Sequence, residues 1–274
     1  MGSIVAQFEE RQAGSLPLRH LWRRGQAAIR SAEGPRAELR RSVLANALAL
    51  VYLDQTADLV ALTRLAATIG PAKLVALQEE VLAPIDPRSR RPRTSALVVR
   101  LARAAWSERA VGTPADRELY GELAVRLVTL RTERARVLPE RLTRADILAG
   151  LSAGHLPRWR QHAALVVADP WAGPGATWLG LLDPERDAFA VAGLTAVVDH
   201  AQRTAAERER TAVVRHIRRA IAESGVSQRE FARLIGTSQS RLSTYASGTV
   251  VPSATMLVRI SQIAASLQRT SRSI

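Results

Sequence analysis

The sequence contains no cysteine and only two methionines, and aromatic residues make up 4% of it. Without cysteine there is no disulfide, no thiolate metal site and no cysteine nucleophile, and the redox compartment is left open. Lysine is nearly missing as well: Lys73 stands alone among 39 basic side chains, and the rest are arginine. That bias reads as the imprint of a GC-rich genome, but exchanging lysine for arginine leaves charge unchanged. It does not account for 39 basic residues against 25 acidic ones, a net charge of +14. Such an excess concentrates polyanions at the surface, nucleic acid or an acidic partner among them.

Long apolar runs are lacking too. No stretch approaches the ~18 consecutive apolar residues of a membrane-spanning helix. The opening MGSIVAQFEERQAG has neither the basic start nor the apolar run of a secretion signal. A cytoplasmic protein is expected. With 274 residues the chain exceeds one ordinary domain, and two domains or a helical body with an appendage is the natural organisation.

Patterns that carry catalysis are equally scarce. His20, His155, His162, His200 and His216 form no HxH or HExxH arrangement. GPGATWLG has glycines but no following lysine and serine, so it is no phosphate loop, and GxSxG is absent. Glu79 and Glu80 read as ordinary helix charges. Trp171 and Trp178, in a Gly/Pro-rich segment, are expected to fill irregular core rather than line a pocket. No enzyme activity, metal or cofactor is expected. An enzyme tethered to DNA survives only as a rival whose site the sequence does not display.

What the chain does have is helical periodicity. From Pro35 to Gly70, leucines and valines recur at three- and four-residue steps, with proline at the first turn and glycine at the end. AKLVALQEEVL continues as a short helix. The run PIDPRSRRPRTS, 84–95, with three prolines and four arginines, reads as an exposed loop. Helices are expected at 95–110, 114–137 and 143–152, the last capped by Thr143 with Asp146 three residues on. From Pro157 to Asp187 the pattern is less regular, and two short strands around LVVAD and TWLGLLD remain open. The segment AQRTAAERERTAVVRHIRR, charged and helical, reads as a linker into a C-terminal module.

That module is where the sequence is most informative. SQREFARLIGTSQSRLSTYASG, from Ser227 to Gly248, has the parts of two helices joined by a tight turn. Ser227 and Glu230 have capping-box spacing, and Thr237 or Ser238 can cap the second helix. Ala232 is small where two helices would cross, Gly236 suits a left-handed turn, and Gly248 ends the pair. Phe231, Ile235, Leu242 and Tyr245 supply an apolar edge. Val213, Val214, Ile217 and Ile221 upstream form another such face. Met256, Leu257, Ile260, Ile263, Ala264 and Leu267 form a third downstream, so four to five helices are expected around one small core. From Thr211 onward nine arginines face only Glu223 and Glu230. By contrast LTRLAATIGPAKLVALQ, 62–78, also places alanine and glycine four apart, but its second helix lacks a polar outward row. It reads as core.

Residues 211–268 resemble the Cro/C1-type, lambda-repressor-like helix-turn-helix family, also called the XRE family. The resemblance rests on Gly225, Ser227-Gln228, Phe231-Ala232, Gly236, Ser238-Gln239-Ser240, Leu242-Ser243, Tyr245, Gly248 and Pro252-Ser253. It departs at Ala246, where many members carry an acid before the terminal glycine. The resemblance implies that Gln228 contacts phosphate and braces Gln239 at the start of the recognition helix. Gln239, Ser240, Arg241 and Thr244 are then expected at base edges, where a glutamine amide suits adenine and an arginine suits guanine, and Ser238 is expected among the DNA-binding residues. Arg229, Arg233 and Ser247 are expected on phosphate.

The expected fold is therefore all-α: a multi-helix N-terminal region over 1–198, a charged helical linker over 199–210, and a lambda-repressor-like domain of four to five helices over 211–274. The expected function is a sequence-specific transcriptional regulator on double-stranded DNA, nucleoid-associated when bound. It is expected to be a homodimer reading the major groove with helix 238–247. The N-terminal region would dimerise or hold a protein partner or small-molecule effector. A rival is an antitoxin-like or mobile-element protein that autoregulates its operon while that region binds a partner protein.

Overall fold

The computed structural model describes residues 56–74, 93–107, 112–130, 142–151, 156–171 and 173–272, with single positions at 23, 27 and 76. The expected helix from Pro35 falls outside the described residues as far as 55. So do the proline- and arginine-rich segment up to 92 and the stretch 131–141. The chain divides into two compact units, Met1–Ala201 and Gln202–Ile274. No strand occurs among the described residues, and no helix among them is long and apolar enough to cross a membrane.

The first unit holds α1 (Thr56–Ile69), α2 (Arg93–Trp106), α3 (Pro114–Thr129), α4 (Arg144–Leu151), α5 (Leu156–Ala168), α6 (Pro174–Leu179) and the start of α7 (Ala188–Glu223). Helix α3 is central, and its sequence shows why. Thr113 caps it, exchanging bonds with Asp116 in a complete capping box, and Pro114 presets the first turn. Its middle buries Tyr120, Gly121, Leu123, Ala124, Val125, Leu127 and Val128, more than one face, because α1, α2 and α5 all pack on it. Leu62, Leu65, Ala66 and Leu74 are buried in the same core. Of the apparent second alanine-glycine pair, Ala66 is thus core packing, and Gly70 follows the end of α1 at φ 86°.

The stretches around LVVAD and TWLGLLD, left open as strands, are helical: they fall on α5 and on α6 with the turn after it. Their apolar runs are too short and lack the alternation that would tell helix from strand; Val166, Trp178 and Leu182 are buried, whereas Leu165, Val167 and Leu179 are half-buried and Leu181 is exposed. Trp159 and Trp178 fill the core, and Trp106 meets Trp159 edge to face at 5.9 Å. Trp171, in contrast, is 58% exposed.

Helix α4 begins as its sequence predicts. The Thr143 hydroxyl accepts from the Asp146 amide, and Asp146 accepts from the Thr143 amide at 2.9 Å. Beside this cap, Arg144 grips the buried Asp187 with two parallel bonds, Nε to Oδ2 at 2.7 Å and Nη2 to Oδ1 at 2.5 Å. The Asp183 amide adds a third bond to Asp187 at 2.9 Å. The Arg144 bond and then the Asp183 amide hold the Asp187 carboxyl below its ordinary range.

The second unit holds the rest of α7, then α8 (Gln228–Leu234), α9 (Gln239–Ser247) and α10 (Ala254–Arg272). Residues 199–210, read as a linker, lie inside the 36-residue α7. The three apolar faces found in the sequence meet here. Ile217, Ala220, Phe231, Ala232, Ile235, Leu242, Tyr245, Ile260 and Ala264 are buried together, with Val213, Ile221, Met256, Leu257, Ile263 and Leu267 packed around them.

Candidate nucleic-acid interface

Helix α8 starts at Ser227, whose hydroxyl accepts from the Glu230 amide at 3.2 Å. The other half of the expected capping box is replaced. Glu230 turns to Arg233, which donates from Nη2 at 2.6 Å and from Nε at 3.0 Å. A forked, charge-assisted pair outweighs one bond to a main-chain amide. The bond from Arg233 holds the Glu230 carboxyl below its ordinary range, and the same bond raises the Arg233 guanidinium above its own.

The turn is a Schellman motif. Gly236 takes φ 73°, its amide donates to the Arg233 carbonyl at 3.1 Å, and the Thr237 amide donates to the Ala232 carbonyl at 2.9 Å. Two orphan carbonyls of α8 are satisfied, and the chain is aimed into the next helix. Of the two cap candidates it is Ser238 that caps α9, accepting from the Arg241 amide at 3.1 Å. Gly248 ends α9 at φ 81°.

Packing decides which side of α9 faces outward. Leu242 is fully buried and Tyr245 is 4% exposed. At about 100° per residue, Ser240, Ser243, Thr244 and Ser247 fall within one arc of about 100° on the opposite side. Ser240, Ser243 and Ser247 are exposed, and Thr244 is half-buried. Gln239 lies on one flank of this arc. Arg241 lies on the other, between Thr244 and Tyr245. Ser243 was not singled out from the sequence as a contact residue, although the same count of 100° steps from Leu242 reaches it.

Gln228 and Gln239 each occupy the first position of their helix, the former half-buried and the latter exposed. Arg229 is exposed. Arg233, expected on phosphate, is engaged by Glu230. The Thr244 hydroxyl donates to the Arg241 carbonyl at 2.8 Å, and the Ser247 hydroxyl lies 2.8 Å from that of Thr249. Arg241 donates from Nε to the Tyr245 hydroxyl at 2.8 Å.

Flanking helices hold this pair through bonds invisible in its own sequence. From α10, Arg259 donates to the Ile235 carbonyl at 3.2 Å; from α7, Arg218 donates to the Ala246 carbonyl at 2.7 Å. His216 lies 2.8 Å from the Ser261 hydroxyl, and Gln268 donates to Glu223 at 2.9 Å. The two acids of the unit beyond Thr211 are both engaged by arginine, Glu223 by Arg219 and Glu230 by Arg233. Arg218, Arg229 and Arg241 have no carboxylate partner among the described residues, so their charge is uncompensated and available to polyanions.

A family model described as helix-turn-helix matches residues 217–263. No curated protein and no solved structure matches the chain. The matched span runs from Ile217 through α8 and α9 to the middle of α10. It is a Cro/C1-type helix-turn-helix, a DNA-binding module at the C-terminal end of this all-α chain.

Proposed function

We propose that the chain is a sequence-specific transcriptional regulator that places α9 in the major groove of double-stranded DNA. The outward row of α9 carries this reading: Ser240, Ser243, Thr244 and Ser247, flanked by Gln239 and Arg241, stand opposite the buried Leu242 and Tyr245. Small hydroxyl side chains let the helix approach base edges closely. The glutamine amide and the guanidinium supply the bidentate pairings that distinguish adenine and guanine. Arg229, Ser238 and the start of α8 at Gln228 meet phosphate and set the register, with no sequence information of their own.

One such module buries too little surface for strong discrimination. The working form is therefore a homodimer on two half-sites about one helical turn apart. The first unit serves dimerisation or holds a protein partner or small-molecule effector, and no catalytic step is assigned to the chain.

The test is selection of bound duplexes from a random pool, followed by footprinting and repetition with Gln239→Ala. A defined inverted repeat is expected, with altered preference at one position per half-site in the variant. An unchanged preference would remove α9 from the recognition role. DNA binding that ignores salt would remove the reading altogether.

A further inference from the structure

Tyr245 has its ring in the core of the second unit, and at 4% exposure it is, with Leu242, one of the two buried side chains of α9. Its hydroxyl nevertheless reaches the helix flank, where it accepts from Arg241 Nε at 2.8 Å one turn earlier. Arg241 is exposed, sits in the first turn of α9 and has no carboxylate partner among the described residues. We infer that Tyr245 is a positioning residue that selects the edge of the Arg241 guanidinium offered to DNA, and thereby specifies a guanine in the recognised site. The inference rests on the assignment of α9 as the recognition helix.

A guanidinium can meet a pair of acceptors with its Nε and Nη2 edge or with its two terminal nitrogens. The tyrosine hydroxyl occupies Nε. Only the Nη1 and Nη2 pair then remains, and its spacing matches O6 and N7 of guanine. The same bond removes side-chain rotamers that a free arginine would have to lose on binding. An anchored arginine at the groove wall therefore discriminates at one base position, whereas an unanchored one could slide to a neighbouring phosphate.

The experiment uses the full chain, the duplex it selects from a random pool, single-base variants of that duplex, and an unrelated duplex. Tyr245→Phe keeps the ring and deletes the acceptor. It is expected to reduce the preference for one guanine about fivefold, with binding to the unrelated duplex and the thermal midpoint unchanged. Arg241→Ala and Arg241→Lys are both expected to abolish the same preference, and Tyr245→Phe is expected to add nothing to Arg241→Ala. If Arg241→Ala erases a guanine preference that Tyr245→Phe leaves intact, Tyr245 does not position it. If Arg241→Ala weakens all sequences equally and lowers the salt slope by about one, Arg241 meets phosphate and the guanine assignment is wrong. Failure to select any site would instead bring down the recognition-helix assignment itself, and this inference with it.

Discussion

Arg218 in α7 donates from Nε to the main-chain carbonyl of Ala246 at 2.7 Å, tying the last turn of α9 to a helix 28 residues earlier in the chain. Residue 246 is also where the sequence departs from its resemblance, since an alanine stands in place of an acid. The carbonyl accepts the arginine that a carboxylate could have neutralised. The tie between helices is kept, and a positive charge is left beside the end of α9.

Two substitutions separate these effects. Arg218→Ala is expected to lower the stability of the second unit by about 1 kcal/mol through the lost bond. Ala246→Glu is expected to raise it by about 0.5 kcal/mol while weakening DNA binding, because the new carboxylate neutralises Arg218 next to the interface. Chemical denaturation and DNA titration of each variant check both signs.

Glu230 and Arg233 compete in the same way on α8. Because their fork is exposed, Glu230→Gln should change stability little. Freeing Arg233 for phosphate should tighten DNA binding several-fold and steepen the dependence of log affinity on log salt by about one. Fluorescence anisotropy across a salt series measures it, and an unchanged slope would take Arg233 off the phosphate backbone.

Three left-handed glycines of the second unit form a graded set. Gly225 (φ 70°) would meet nothing with an added Cβ, Gly236 (φ 73°) would meet Arg259 Nη1 at 3.4 Å, and Gly248 (φ 81°) would meet Val214 Cγ2 at 3.0 Å. Alanine at 225 or 236 is expected to cost about 1 kcal/mol, the strain of φ alone. Alanine at 248 is expected to cost about 1 kcal/mol more, because a methyl must be displaced. The order should appear directly in denaturation midpoints.

Gly150 in α4 faces the ring of His162, and an added Cβ would lie 2.2 Å from Cε1 and 2.5 Å from Nδ1. The ring has little freedom to move away. It is buried, its Nδ1 lies 2.9 Å from the Arg158 carbonyl, and it meets Trp178 edge to face at 5.2 Å. Gly150→Ala is expected to destabilise the first unit by about 2 kcal/mol, read from its unfolding transition, with DNA affinity per folded molecule unchanged.

Arg144 and Asp187 make the first unit sensitive to acid. The native Asp187 carboxyl titrates below its unfolded value of roughly 4, so the folded state binds fewer protons over that range. The stability it contributes is therefore present above about pH 4 and is lost as the pH falls through the lowered native value. Asp116 and Asp146, held down by bonds from their capping threonines, act in the same direction. Asp187→Asn should be less stable than the parent near neutrality and lose less stability on acidification, as thermal midpoints along a pH series would report.

The helix-turn-helix was legible because each of its signals acts within a turn or two of chain. Ser227 and Ser238 cap the residues three positions on, Gly236 and Gly248 supply left-handed φ, and Leu242 and Tyr245 mark the buried edge from which the outward row follows. The first unit was less legible. Its central helix buries several faces, and the short apolar runs of α5 and α6 carry no alternation that distinguishes helix from strand. What local spacing determined, then, was the existence of the pair, its turn and its polar face. Tertiary packing alone decided which distant partners the arginines took. Arg218 reached Ala246 across 28 residues, Arg259 reached Ile235 across 24, and Arg144 reached Asp187 across 43. The physical reason is range: caps and periodicity are set by neighbouring φ, ψ and rotamers, whereas these bonds depend on rotamer choice and on how whole helices cross, which no short stretch of sequence specifies.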